Sequence, residues 1–171
     1  LAGACAVSVS HTIKAQPLTA AAFAPFGQVI EAAGEPSFFI NNGRCGRYHD
    51  LARPEILGEG AEVALSVGRS DSVSLPYTLD LLERHPLGSQ AFVPMAATPM
   101  LIMVAPDVGG KPGEPVAFLS QAGQGVQYHA GTWHGVLAPL NGPANFLIVD
   151  RIGSGNNLEE VALVEPFLIV E

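Results

Sequence analysis

The segment Gly123-Gln-Gly-Val-Gln-Tyr-His-Ala-Gly-Thr-Trp-His134 carries the clearest structural signal in the chain. His129 and His134 stand in it on either side of Gly131. Glycine tolerates the positive φ and the close backbone approach of a tight corner between two strands. The segment therefore predicts a strand that ends at His129, a turn at Gly131, and a second strand that starts at Trp133. Imidazole is suited to proton transfer and metal ligation near neutral pH, so this corner is also a candidate site.

Short apolar runs separated by turn residues make up most of the remaining chain, and its 19 glycines and 14 prolines are spread along the whole length. This pattern is typical of all-β proteins. Thr19 can cap one short N-terminal helix, over about 19–26. Short strands joined by tight turns favour a cupin-like double-stranded β-helix, which is a jelly-roll barrel. We predict strands over 28–31, 38–41, 46–50, 62–69, 78–85, 90–94, 100–105, 115–119, 124–129, 134–138, 144–151 and 161–170.

The length of 171 residues fits one domain, which we place at 13–171, after a ragged N-terminal segment at 1–12. Hydrophobic residues make up 48% of the chain and charged residues only 14%. So few charges cover a surface poorly, which favours a second subunit, with the apolar C-terminal strand 161–170 as a candidate contact. The apolar start of the chain lacks a basic region, so we interpret it as a ragged terminus, with a weak signal peptide as the alternative.

The net charge of −8 argues against nucleic acid or an anionic membrane as a partner. No apolar run reaches the roughly 20 residues of a membrane span. Cys5 and Cys45 show no metal-finger or disulfide spacing, and the default compartment is therefore the reducing cytoplasm. Six of the eight basic residues are arginines, which bind carboxylates in a bidentate fork, so a small acidic substrate is compatible with an acidic protein.

A second histidine-bearing strand lies upstream of the corner. Side chains alternate along a strand, so Glu83 and His85 share one face, as a strand entering a pocket would show. The run Glu83-Arg-His85 followed by Gln90 fits the first cupin motif, with Glu in place of the first His and Gln in place of the Glu. His129-Ala-Gly-Thr-Trp-His134 fits the second motif, with His in place of Pro.

The cupin resemblance implies a metal site at four positions, which are Glu83, His85, Gln90 and His134. Two His and one carboxylate suit a divalent ion, with Ni preferred and Mn or Zn possible alternatives. Gln is a weak ligand, which predicts modest affinity. Without an ion, His and Glu would act purely as acid and base. No organic cofactor is indicated.

Longer strings make the resemblance more specific. Arg47-Tyr-His-Asp-Leu-Ala52, Glu83 to Pro94, Gly123 to His134 and Val149-Asp-Arg151 together resemble the ureidoglycolate lyase family of cupin-fold enzymes, over about residues 18–157. The resemblance implies a homodimer that splits (S)-ureidoglycolate into glyoxylate and urea during allantoin and purine breakdown. Breaking this C–N bond requires a base for the hydroxyl proton, an acid for the departing nitrogen and a cation for the carboxylate.

Site residues follow from this chemistry. The predicted catalytic residues are Glu83, His85, His134 and His129. The predicted substrate-binding residues are Arg47, His49, Arg69, Gln90, Trp133 and Arg151, and Asp150-Arg151 could equally be a structural ion pair. Two other functions stay open: an amidohydrolase that releases ammonia and CO2, and a non-catalytic cupin that binds a small carboxylic acid.

Overall fold

A computed structural model describes residues 11–171. Its elements, in chain order, are β1 (His11–Lys14), β2 (Gln16–Pro17), α1 (Ala20–Phe23), β3 (Gly27–Ile30), β4 (Phe38–Ile40), β5 (Cys45–Arg47), β6 (Glu62–Ser70), β7 (Tyr77–Arg84), β8 (Gln90–Pro94), β9 (Met100–Ala105), β10 (Asp107–Val108), β11 (Lys111–Pro112), β12 (Val116–Leu119), β13 (Gly125–Tyr128), β14 (Trp133–His134), β15 (Ala138–Pro139), β16 (Ala144–Ile152) and β17 (Glu159–Val170).

Two sheets form the nearly closed β-barrel that the sequence predicts. The eight-stranded sheet runs β1-β17-β7-β14-β9-β12-β2, with β15 paired to β9, and the five-stranded sheet runs β3-β13-β8-β16-β6. Phe92 and Phe146 of the five-stranded sheet share a core cluster with Ile102 and Phe118 of the eight-stranded sheet. Strand β9 is buried along its whole length, as its continuous apolar run predicts.

The central strands match the sequence prediction best, with β8 and β9 at the predicted bounds. The predicted strand 134–138 is two short strands, β14 and β15. The N-terminal helix is a single turn, Ala20–Phe23, rather than 19–26, and Thr19 caps it by accepting a hydrogen bond from the amide of Ala22. Strands β1, β2, β10 and β11 were not predicted. They are only two to four residues long, so they carry no readable periodicity.

Both ends of the described chain lie in the same sheet. Residues 11–14 pair in parallel with 167–170, so regular structure begins inside the segment predicted to be ragged, and residues 1–10 of that segment lie outside the described residues. Strand β17 has β1 on one side and β7 on the other. The predicted C-terminal contact strand is therefore paired on both sides only over 167–169, and its residues 159–166 have no partner on the β1 side among the described strands. None of the described helices is long and apolar enough to cross a membrane.

Candidate active site

Two neighbouring strands of the eight-stranded sheet position the polar cluster at the barrel mouth. The predicted corner forms, with Gly131 at φ 78°, and it carries His134 into β14. Strand β14 pairs antiparallel with β7, which sets His134 directly beside Glu83. His85 follows β7 immediately, and its carbonyl accepts a hydrogen bond from the amide of Gly131, which ties the two segments together.

Glu83 lies between two imidazoles. Its Oε1 is 3.9 Å from His85 Nε2 and 3.9 Å from His134 Nδ1. One ligand atom from each of the three side chains can be chosen so that all three lie within 4.8 Å of one another. The ring of His134 is stacked on Tyr128 at a centroid distance of 4.3 Å, which fixes its plane against the barrel core.

Backbone carbonyls set the tautomers of both histidines. His85 Nδ1 lies 2.7 Å from the carbonyl oxygen of Asn157, and His134 Nδ1 lies 3.0 Å from that of Gly135. A carbonyl can only accept, so each Nδ1 carries the proton and donates it. When the imidazoles are neutral, each Nε2 is therefore left with a lone pair. This arrangement of a backbone acceptor behind the ring is the usual support of a ligating histidine.

Gln90 lies on the five-stranded sheet, in register with Tyr128, the residue that stacks on His134. Its Nε2 donates to Asp150 Oδ2 at 3.5 Å, which turns Oε1 the other way. Among the described residues, only three buried side-chain N or O atoms lack a hydrogen-bond partner, and they are His85 Nε2, His134 Nε2 and Gln90 Oε1. Buried acceptors are normally satisfied, so these three orphaned acceptors, two of them on the histidines beside Glu83, fit a bound cation.

The surroundings of the cluster shift the pKa values of its three members in different directions. The adjacent His85 imidazole lowers the pKa of the Glu83 carboxyl, which is therefore ionised at neutral pH. Burial lowers the pKa of His134 to about 4, so this ring is neutral there. Burial also lowers the pKa of His85, but Glu83 and the Asn157 carbonyl outweigh it and the net pKa is raised.

Comparison with known proteins identifies the family of this chain. Residues 10–170 match the family model described as ureidoglycolate lyase. The chain belongs to the ureidoglycolate lyase family. A ureidoglycolate lyase of Chelativorans sp. (strain BNC1) is 55% identical over 157 residues, which cover 92% of this chain and 95% of that protein. Ureidoglycolate lyase 2 of Rhizobium meliloti (strain 1021) is 49% identical over 154 residues, covering 90% and 94%. A ureidoglycolate lyase of Rhodobacter capsulatus is 50% identical over 154 residues, covering 90% and 95%.

Of the four predicted catalytic residues of this family member, three lie together and His129 lies apart. The half-exposed His129 ring is bound by Glu55, whose Oε1 is 2.9 Å from Nδ1. The other carboxylate oxygen of Glu55 accepts the amide of Ala130 at 3.1 Å. Glu55 thus holds the turn that precedes β14.

The predicted substrate-binding residues other than Gln90 lie outside the cluster. Arg47 and His49 are exposed on and after β5, both beside Phe38. Exposed Arg69 shares a face of β6 with Val67 and Leu65, opposite the face of Ser66.

Trp133 and Arg151 have partners of their own. Trp133 is buried in a second core cluster, and its Nε1 donates to Asp107 Oδ1 at 2.9 Å. The buried Arg151 donates to the carbonyl oxygens of Leu57 and Ser154, each at 2.6 Å, so it braces two loops rather than forming an ion pair with Asp150.

Sequence reasoning did not identify Glu55, Asp150 as the partner of Gln90, or the Asn157 carbonyl. Glu55 lies in a loop far from the histidine strings, where an isolated acid is usually a solvated charge. One feature of the sequence could have identified Asp150 as this partner. Asp150 follows Phe146 and Ile148 at a spacing of two, so it continues a buried strand face.

Proposed function

We propose that this protein cleaves (S)-ureidoglycolate into glyoxylate and urea, as a step in the degradation of allantoin from purines. The proposal rests on the names of its close relatives, which cover nearly the whole chain. The observation that carries it is the ionised Glu83 held between two imidazoles, beside three unsatisfied acceptors. This arrangement can move a proton and hold a cation without a covalent nucleophile.

The reaction transfers one proton from oxygen to nitrogen. The substrate is a carbinolamide: its hydroxyl loses a proton as the C=O bond of glyoxylate forms, and the urea nitrogen gains a proton as the C–N bond breaks. We assign both transfers to the Glu83 carboxylate, which accepts the hydroxyl proton and returns it to the departing nitrogen. A positioned acid or base of this kind contributes roughly 10²–10⁴-fold to the rate.

The cluster also fits one divalent ion, with Ni²⁺ preferred and Mn²⁺ or Zn²⁺ as alternatives. His85 Nε2, His134 Nε2, Gln90 Oε1 and one oxygen of Glu83 would hold it. When bound, the ion supplies Lewis acidity toward the substrate oxygens. Glu83 would offer one carboxylate oxygen to the ion and keep the other for the proton. With Gln90 uncharged, Glu83 is the single anionic ligand, which predicts modest affinity.

The remaining predicted residues are proposed to act from the edge of the site. We propose that Arg47 and His49 contact the substrate carboxylate and that His129, fixed by Glu55, donates a hydrogen bond from the turn. Arg69, Trp133 and Arg151 face other parts of the molecule. Their proposed contribution is therefore indirect, with Arg151 ordering the loops at 57 and 154.

A product assay tests the proposed activity. Purified protein is incubated with (S)-ureidoglycolate, and glyoxylate, urea and ammonia are each quantified. We expect urea and glyoxylate in equal amounts. Ammonia in place of urea would identify an amidohydrolase, and binding without turnover in folded, metal-supplied protein would identify a non-catalytic cupin. Either result overturns the lyase proposal.

We further propose that the protein works as a homodimer in the cytoplasm. The low charged fraction of the chain and the thirteen large hydrophobic side chains exposed among the described residues support the dimer. The exposed free thiol of Cys45 is compatible with a reducing compartment.

A further inference from the structure

The strand pairing that brings Glu83 to His134 is short. Strand β14 has only two residues, and among the described residues the single pair that joins it to β7 is His134 with Glu83. One ladder pair sets the two residues side by side but leaves the angle between the strands weakly fixed. Because a displacement of about 1 Å can cost roughly 10²-fold in rate, further contacts are needed to hold this geometry.

The outer face of the sheet supplies such contacts. His134 pairs with Val104, a member of the core cluster inside the barrel. Side chains alternate along a strand, so Trp133, one residue before His134, points to the opposite, outer face. Arg84 follows Glu83, and its guanidinium lies over the Trp133 ring. Arg84 and Trp133 are therefore in contact directly behind the Glu83–His134 pair.

Arg84 links several strands on this outer face. Its Cζ is 4.5 Å from the centre of the Trp133 ring. Its Nη1 donates to Asp107 Oδ1 at 2.7 Å, and its Nε donates to Glu159 Oε2 at 2.7 Å. Asp107 Oδ1 also accepts a hydrogen bond from Trp133 Nε1 at 2.9 Å. One guanidinium thus connects β7 to β14, to β17 and to the start of β10.

These contacts depend on the chemistry of arginine. A guanidinium presents its N–H groups in a rigid planar fork and stacks on aromatic faces, whereas an ammonium is a compact point charge. The Arg84 side chain is only 17% exposed, so solvent ions screen its two ion pairs less than they screen a fully exposed pair. A shielded planar group with three simultaneous partners fixes both the distance and the angle between the strands that it joins.

We propose that Arg84 is a positioning residue, which holds the Glu83 carboxylate in place beside His134 by clamping Trp133 from the outer face. The inference rests on the proposed role of Glu83 in the cleavage of ureidoglycolate. Arg84 itself transfers no proton, because it acts from the opposite face of the sheet. Trp133 and Asp107 complete the clamp, which gives Trp133 an indirect task in place of the predicted contact with substrate.

Matched Arg→Lys variants test this role. Arg84→Lys keeps the charge and removes the planar fork, and Arg53→Lys makes the same change at an exposed arginine that forks onto Asp50. In protein supplied with Ni²⁺, kcat for glyoxylate release should fall about tenfold in Arg84→Lys, with KM within about twofold of wild type. Neither value should change in Arg53→Lys. The lyase and the amidohydrolase reactions both release glyoxylate, so the nitrogen product does not affect this comparison.

A double variant tests whether Arg84 acts through Glu83. Glu83→Gln already lacks the proton acceptor, so adding Arg84→Lys to it should lower kcat by less than about twofold. A further tenfold loss would show that Arg84 acts independently of Glu83 and would overturn the proposal. Unfolding of Arg84→Lys at lower denaturant with an unchanged kcat would also overturn it, because that is the signature of a purely structural role.

Glu159→Ala keeps the proposal testable if Arg84→Lys does not fold. It removes a 40% exposed carboxylate from the clamp without opening the core. We expect kcat to fall about threefold in the wild-type background and to stay unchanged in the Glu83→Gln background. An unchanged kcat in both backgrounds would remove the positioning role and leave the lyase proposal intact, whereas a wild-type protein without turnover would remove the lyase proposal as well.

Discussion

His129 and His134 belong to one short sequence motif and one corner of the fold, yet their environments are opposite. His129 is half-exposed and bound by Glu55, so its ring is already engaged by a carboxylate. His134 is buried, its pKa is lowered to about 4, and its Nε2 has no partner. Residue type and spacing thus say less about which histidine is functional than the direction of its free lone pair does. The ring with the unsatisfied nitrogen is the one placed for chemistry.

The largest expected effect is the loss of kcat when Glu83 is substituted. Its carboxylate lies beside the His134 ring, whose Nε2 has no partner. Glu83→Gln keeps the shape and removes the proton acceptor, so kcat should fall by roughly 10³-fold. Glu55→Gln is the matched control, because it makes the same change at the carboxylate that binds His129. It should cost about tenfold or less. Steady-state kinetics on folded variants compares them, and equal losses would mean that the two regions do not differ in role.

The next effect is the pH dependence of stability that the buried His134 causes. The folded pKa of His134, about 4, lies below its ordinary value of 6.5, so the unfolded chain takes up this proton first. Its contribution to stability is therefore complete above pH 6.5 and is lost as the pH falls toward 4, by about 3 kcal/mol in metal-free protein.

Chemical denaturation between pH 7 and 4 measures this loss. The pH-dependent loss should be smaller in His134→Gln than in wild type. If His134→Gln follows the wild-type curve, the ring does not stay neutral in the fold.

The sequence predicted the strands and cluster members that lie on strongly patterned segments. Strand β9 was predictable because burial on both faces leaves a continuous apolar run, and Glu83, His85, Gln90 and His134 were predictable because the cupin motifs fix their spacing. Strand β1 could not be predicted in this way, because its partner among the described strands is a parallel strand more than 150 residues away in sequence. The same holds for the Asn157 carbonyl and Glu55. They reach the histidines through contacts 72 and 74 residues apart, which no local pattern records.

The smallest expected effect on the kinetics comes from substituting His129, whose ring is bound by Glu55. His129→Gln removes the ring that Glu55 holds but leaves the buried cluster intact, so we expect a rise in KM and a change in kcat of less than about tenfold. The KM and kcat values of the variant decide this. A loss in kcat as large as that of Glu83→Gln would place His129 among the proton-transferring residues and remove the contrast with His134.

We propose that Glu83 and the three unsatisfied acceptors hold a divalent ion that the reaction uses. The direct measurement is turnover of (S)-ureidoglycolate by protein shown by elemental analysis to be metal-free, before and after one equivalent of Ni²⁺ or Mn²⁺. We predict low activity before addition and recovery after it, with no recovery in His134→Gln. Full activity of the metal-free protein would contradict this account, and would leave Glu83 and the histidines as a purely acid–base site.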